Sequence, residues 1–184
     1  MIPRRAICLL PALALAVAAC GPKAEDSYVR GHGLAVADLS LRDRAAIYQE
    51  AIGGAFQVGD PSLYLLLDPR LLPRTAGFGP GEDVTEGLRN TLLKSHLVQG
   101  TCQPAGDGSK LAHCQAPMAG YVVRFSNVFR MPGDTMSVYL YVQRYSTPTS
   151  VGVGHLRFER IYKVVRRPSG WEAVSEGRVD LSNQ

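Results

Sequence analysis

The stretch "MSVYLYVQRY", Met136 to Tyr145, alternates its side chains with period two, and its reading decides the fold. Met136, Val138, Leu140 and Val142 fall on one face, and Tyr139, Tyr141 and Tyr145 fall on the other. Successive residues of a strand point to opposite sides, so this segment is a strand with two distinct faces. The segment before it behaves alike. In "YVVRFSNVFRM", Tyr121, Val123, Phe125, Phe129 and Met131 share a face, with Asn127 as the exception, while Arg124, Ser126 and Arg130 point the other way. The intervening "MPGDT" is a turn. Downstream, "HLRFERIYKVV" puts Leu156, Phe158, Tyr162 and Val164 together. "RRPSG" turns the chain, and "WEAVSEGRVDL" forms a last strand from Trp171. Four strands spaced in this way predict an antiparallel meander.

Two helices precede the meander. "SLRDRAAIYQEAIGGAF" carries Leu41, Ala45, Tyr48 and Ile52 at helical spacing, with Ser40 as its cap and Asp43 three residues on. Gly53 and Gly54 are its expected stop. "DVTEGLRNTLLKSHLV" is the second helix. Asp83 and Glu86 suit its first turn, and Val84, Leu88 and Leu92 line one face. Between them "SLYLLLD" reads as a short buried strand stopped by Pro69. Helices followed by strands predict an α+β fold, with two helices packed on a mainly antiparallel sheet of four to five strands.

Composition fits a globular chain: 46% of the 184 residues are hydrophobic and 20% are charged. The long apolar run, Ala6 to Ala19, spans 14 residues and contains Pro11. A membrane-crossing helix needs about 20. Preceded by "MIPRR", the run has the layout of a secretion signal.

The run ends in "VAAC", Val17 to Cys20. This resembles the lipobox of bacterial lipoproteins, although Val17 stands where leucine is commonest. The resemblance covers about the first 21 residues. It implies cleavage after Ala19 and a diacylglyceryl thioether on Cys20, which becomes the first residue. Two or more acyl chains anchor a protein stably where one does not. Gly21 stands where an inner-membrane retention signal would have Asp, so the periplasmic face of the outer membrane is the expected location. Residues 1–19 are then the signal peptide. Residues 20–38 are the lipidated end and a flexible tether, and 39–184 form one domain. Loss of Arg4 and Arg5 leaves 18 basic against 16 acidic residues, a net +2.

With Cys20 lipidated and Cys8 removed, Cys102 and Cys114 remain as an even pair in an oxidising compartment, and a disulfide between them is expected. It would close the turn-rich "QPAGDGSKLAH", and a loop of this size gains about 3 kcal/mol in the chain-entropy model. His113 and Asp107 lie in the same loop. Structural zinc wants four ligands at CxxC-like spacing, and that spacing does not occur, so no metal is expected.

No GxSxG, P-loop, HExxH or complete GxGxxG is present. Ser95 and His96 are neighbours on a helix and do not face one another. No catalytic residue and no cofactor is therefore assigned. The Tyr139, Tyr141 and Tyr145 stripe is the candidate binding surface, an aromatic floor for a glycan, an apolar ligand or a partner. The competing reading packs it as core or pairs it across strands. Arg157, Arg160, Lys163, Arg166 and Arg167 form a basic set around Glu159 that could meet headgroups, or be a solvated face.

The order helix, strand, helix, antiparallel strands, ending in the hairpin "YKVVRRPSGWEAV", is similar to the NTF2-like cone fold. That fold holds enzymes and inert binding modules alike, so it implies no single function. The expected function is a non-catalytic, membrane-anchored binding or envelope-accessory domain. Its partners would be the membrane, through the lipid on Cys20, and an envelope protein, glycan or lipid, with no nucleic acid. The alternative is a small hydrolase or isomerase with its site inside the cone.

Overall fold

The computed structural model describes residues 29–57, 63–75, 82–102, 119–145 and 156–181. Their elements run β1 (Ala35–Val36), α1 (Leu41–Ala55), β2 (Leu65–Leu67), α2 (Glu86–Lys94), β3 (Gly100–Thr101), β4 (Gly120–Phe125), β5 (Phe129–Met131), β6 (Thr135–Tyr145), β7 (Arg157–Arg167) and β8 (Gly170–Asp180). The α+β class stands. The sheet, however, is a strongly curled mixed sheet of eight strands among the described residues, not the expected four to five. The extra strands are short, and two or three residues carry no readable period. Three-residue β2 runs parallel to both β3 and β4, and so departs from the antiparallel meander.

The meander itself forms as its alternation dictates. β6 pairs antiparallel with β4 and β5 on one side and with β7 on the other, and β7 pairs with β8. One feature breaks the expected face pattern. Phe125 lies opposite Leu140, but Phe129 lies opposite Ser137, so Ser126, Asn127 and Val128 face only two residues of β6. This is a β-bulge, and the single extra residue flips every later side chain. Val128 therefore joins Phe125 in the main core, while Phe129 points to the opposite face. The Ser126 hydroxyl holds the bulge by accepting from the Tyr139 N–H at 3.0 Å and donating to the Asn127 carbonyl at 2.6 Å.

The helices pack on the inner face of the curl. Ser40 caps α1: its hydroxyl accepts from the Asp43 N–H at 3.1 Å and donates to Oδ2 of Asp43 at 2.8 Å. Such a cap contributes about 1 kcal/mol. The helix runs through Gly53 and Gly54 rather than stopping there. Gly54 is needed for close approach, since a Cβ there would lie 2.9 Å from the Tyr162 ring. The Arg160 guanidinium donates to the Gly54 carbonyl at 2.9 Å, which places a cation at the negative end of the helix.

The main core lies between α1, α2 and the inner face. Tyr48 is stacked on Phe125, with centroids 4.1 Å apart and planes within 4°, and its hydroxyl donates to the Ser126 carbonyl at 2.8 Å. Burial holds this phenol above its ordinary pKa. At the other end of α1, the Trp171 indole donates to Oδ1 of Asp43 at 3.0 Å, which ties β8 to the first turn of the helix.

The N-terminal boundary differs from the expected tether of 20–38. From Val29 onward the chain belongs to the fold: Val29 bridges to Thr75, Ala35 and Val36 pair with β5, and Ala37 is buried in the main core. Composition alone could not reveal this, because "VRGHGLAV" is short, glycine-containing and held by contacts distant in sequence.

Candidate functional site

The outer face of the sheet carries an unusual layer of charge. Arg30, Asp68, Arg70, Arg124 and Glu159 are all buried there, beside a second apolar cluster of Leu72, Phe129, Tyr139 and Tyr141. Buried ions must be paired, and two sets of pairs form. Arg30 meets Glu159 with a two-pronged contact, Nε to Oε1 at 2.8 Å and Nη2 to Oε2 at 2.6 Å. Its Nη1 also donates to the Pro73 carbonyl at 2.8 Å. In the second set, Oδ1 of Asp68 accepts from the Arg70 N–H at 2.9 Å and from its Nε at 3.4 Å. Arg124 donates to the carbonyls of Arg70 and Leu71 at 3.0 and 2.7 Å, with Nε 3.9 Å from Oδ2 of Asp68. Burial lowers the pKa of Arg124, and the Asp68 carboxylate beside it works in the opposite direction. Burial pushes the Tyr141 phenol up to about 12.

The first set serves the segment Val29–Ala37, which crosses the outer face as a strap, and the second holds residues 68–71 against β4. The Gly31 N–H donates to the Tyr139 hydroxyl at 3.0 Å, and the Arg74 guanidinium donates to the carbonyls of Gly31 and Leu34. Gly31 has a φ of 61° and lies flat on the Phe129 ring, so a Cβ would collide with it at 2.4 Å. The bulge makes this contact, because without it Phe129 would face inward. The arrangement binds a piece of the protein's own chain. The ions are buried and engaged with one another, which suits anchorage rather than proton transfer to a substrate.

A cavity of about 420 Å³ lies on the inner side, between the C-terminal end of α1 and the start of β4. Ala55, Phe56, Gln57, Leu63, Tyr121 and Arg144 line it, with the backbone of Ala119 and Gly120. The Phe56 and Tyr121 rings form a tilted pair with centroids 5.3 Å apart. Among the described lining residues Arg144 is the charged group and Gln57 the neutral polar one. An aromatic wall, a guanidinium and an amide can hold and orient a small ligand of mixed apolar and anionic character. Among the described lining residues there is no carboxylate or imidazole for general acid–base chemistry.

The residues singled out from sequence are dispersed. Tyr139 and Tyr141 are 8% and 2% exposed, so they are not an open aromatic floor. The strap and the 69–75 segment cover them, and the Tyr139 ring meets Phe129 edge-on at 6.0 Å. Tyr145 pairs through its backbone with Gly120, and its side chain lies outside the described residues. Cys102 is buried against Leu66 and Val122 and is disulfide-bonded. Cys114, its expected partner, lies outside the described residues, as do Cys20, His113 and His155. His32 and His96 are exposed. His96 takes a φ of 59°, a left-handed residue just after the end of α2.

The basic set does not form one patch. Arg160 caps α1, Arg166 lies over the Trp171 ring at 5.3 Å, Arg167 pairs with Glu172 at 2.8 Å, and Lys163 is exposed.

Sequence reasoning missed Arg30, Asp68 and Arg124 as a buried group. One signal was available. Asp68 directly follows the fully apolar "LLL", and an acid abutting a buried strand needs a cation nearby. Nothing in the sequence pointed to the cavity, because Phe56, Tyr121 and Arg144 come together only in the fold. Comparisons with protein family models, with curated proteins and with solved structures found no match.

Proposed function

We propose that this protein is a lipid-anchored, non-catalytic binding domain of the bacterial envelope. It would be tethered through a diacylglyceryl group on Cys20 to the periplasmic face of the outer membrane. The observation that carries the binding reading is the cavity at the end of α1. It offers the Phe56–Tyr121 aromatic pair, the Arg144 guanidinium and the Gln57 amide. The anchor reading is supported by the "VAAC" lipobox and its basic, apolar leader. The partner fitting this cavity is an envelope glycan, lipid or peptide that presents an anionic group beside an apolar surface. A Cys102–Cys114 bridge belongs to the same reading, since the compartment is oxidising.

The second reading is a small enzyme on an NTF2-like cone. The curled sheet wrapped around α1 supports the cone, and an enzyme would need an acid or base beyond the described lining residues of the cavity.

The mature protein, titrated with fractionated envelope glycans, lipids and peptides, should give NMR shifts centred on Phe56, Tyr121 and Arg144. Arg144→Ala should weaken them at least severalfold. Shifts centred elsewhere, or turnover of a ligand that survives Arg144→Ala, would refute the binding reading. For the anchor, Cys20→Ala should abolish incorporation of labelled palmitate. For the bridge, alkylation under denaturing, non-reducing conditions should modify neither Cys102 nor Cys114.

A further inference from the structure

We infer that the inner face of β7 and β8 carries a second binding site, for an oxyanion, between Arg160 and Arg178 beside the C-terminal end of α1. Neither arginine lines the cavity, and the inference depends on neither the cavity nor the lipid anchor.

Two like charges stand in register. Arg160 of β7 lies directly opposite Arg178 of β8. Like charges placed this way on neighbouring strands destabilise a sheet. Both guanidiniums lie over the same Phe158 ring, 5.7 and 4.2 Å from its centroid. The ring draws both cations to one place and neutralises neither. Arg178 has an ion pair at 3.9 Å with Asp180, between side chains 44% and 61% exposed. An exposed pair at that distance contributes little. Arg160 makes no ion pair among the described residues.

Two buried donors beside this pair lack an acceptor. They are Nε of Arg160 and the hydroxyl of Tyr162. Tyr162 is 0% exposed, and its hydroxyl lies at Gly54, 3.5 Å from where a Cβ would stand. Nη1 of Arg160 donates to the carbonyl of that same glycine at 2.9 Å, so the two side chains meet there. Burial raises the Tyr162 pKa, and the Arg160 guanidinium beside the phenol works the other way. A guanidinium accepts no hydrogen bond, so this neighbour leaves the phenolic proton without an acceptor. Buried donors in that state are costly. One oxyanion answers both features. Its oxygens accept from Arg160 Nε and the Tyr162 hydroxyl, and its charge offsets the repulsion between the guanidiniums. The carbonyl end of α1 by itself repels an anion. Arg160 Nη1 covers that carbonyl, and Arg178 adds a second cation. Arg178, the exposed member, is the side chain that moves aside to admit the ion. The site stands apart from Arg144 of the cavity. The Arg144 N–H donates to the Leu156 carbonyl at 2.9 Å, and Leu156 is about 13 Å along β7 from Arg160.

The test follows the Arg160 Nε–H and Tyr162 ring signals by NMR in the full-length protein. Sodium chloride is exchanged for inorganic phosphate, and separately for acetate, at constant ionic strength. Both signals should shift saturably, and the thermal midpoint should rise. Saturation by phosphate or by acetate supports the site and assigns the group it takes, whereas saturation by neither overturns it. Arg178→Gln and Tyr162→Phe should each weaken binding at least severalfold, while Lys163→Gln, an exposed charge of the same strand, should not. In chloride alone both binding-site variants should be at least as stable as the parent. One removes a like charge and the other a buried donor without an acceptor. A lower thermal midpoint for both in chloride would make the two side chains packing groups and overturn the inference. A loss of binding confined to Arg144→Ala would place the ion in the cavity and overturn it as well.

Discussion

Removing either partner of the Arg30–Glu159 pair should be among the most damaging single changes outside the apolar core. Glu159 is 1% exposed and Arg30 is 5% exposed, and two short charge-assisted bonds join them. Hydrogen bonds to charged groups contribute about 1.5–3 kcal/mol each. Truncating one partner also strips the other charge of its main counter-ion away from water, and such losses run to about 3–5 kcal/mol. Against a total stability of about 5–15 kcal/mol this is a large share. Arg30→Ala should cost more than Glu159→Leu, because it also leaves the Pro73 carbonyl without its guanidinium donor. The double variant Arg30→Met/Glu159→Leu should be milder than the sum of the singles, since it leaves neither charge behind. The assay is urea denaturation followed by the fluorescence of Trp171, the one tryptophan, with far-UV circular dichroism as a second probe. If each single change costs under about 1 kcal/mol and the double is additive, the pair is solvated and the strap is not docked as described.

Four further outcomes are expected. A truncated chain starting at Leu39 should lose the cooperative urea transition that one starting at Val29 retains, because Arg30, Gly31 and Ala37 go with the strap. Tyr48→Phe should cost about 1 kcal/mol for the lost bond to the Ser126 carbonyl, and Tyr48→Ala about 3–5 kcal/mol for the cavity under Phe125, both read by denaturation. Gly54→Ala should destabilise by about 1–3 kcal/mol through its clash with Tyr162, whereas Gly177→Ala, with open space at its Cβ, should be close to neutral. The Trp171 indole, the Ser40 hydroxyl and the nearby Arg166 guanidinium hold the Asp43 carboxyl below its ordinary 3.8. That stabilisation is fully present above the unfolded value and is lost as pH falls through the folded one, so Asp43→Asn should flatten the acid limb of the stability profile.

Much of the framework was legible because the signals are local. β6, β7 and β8 announce themselves by alternation, and Ser40 with Asp43 marks the start of α1. These patterns state which face of an element is apolar, and any compact fold must bury that face. The candidate site was much less legible. The tyrosine stripe was seen, but alternation says only that two faces differ, not what covers the second one. Phe56, Tyr121 and Arg144 belong to three elements and carry no shared motif.

What the sequence by itself determined is therefore the α+β class, the two helices and the long strands. Each follows from periodicity or from a short contiguous motif. What only the tertiary structure decided is how those pieces close on one another. A single extra residue at Ser126–Val128 reverses the faces of Phe129 and Met131, and no count of alternation detects it in advance. Parallel pairing joins β2 to strands more than 30 residues away. An ion pair spanning 129 positions turns what composition reads as a tether into a strap. The reason is common to all three: their free energy lies in contacts between residues far apart in the chain, and a local pattern holds no record of its distant partner.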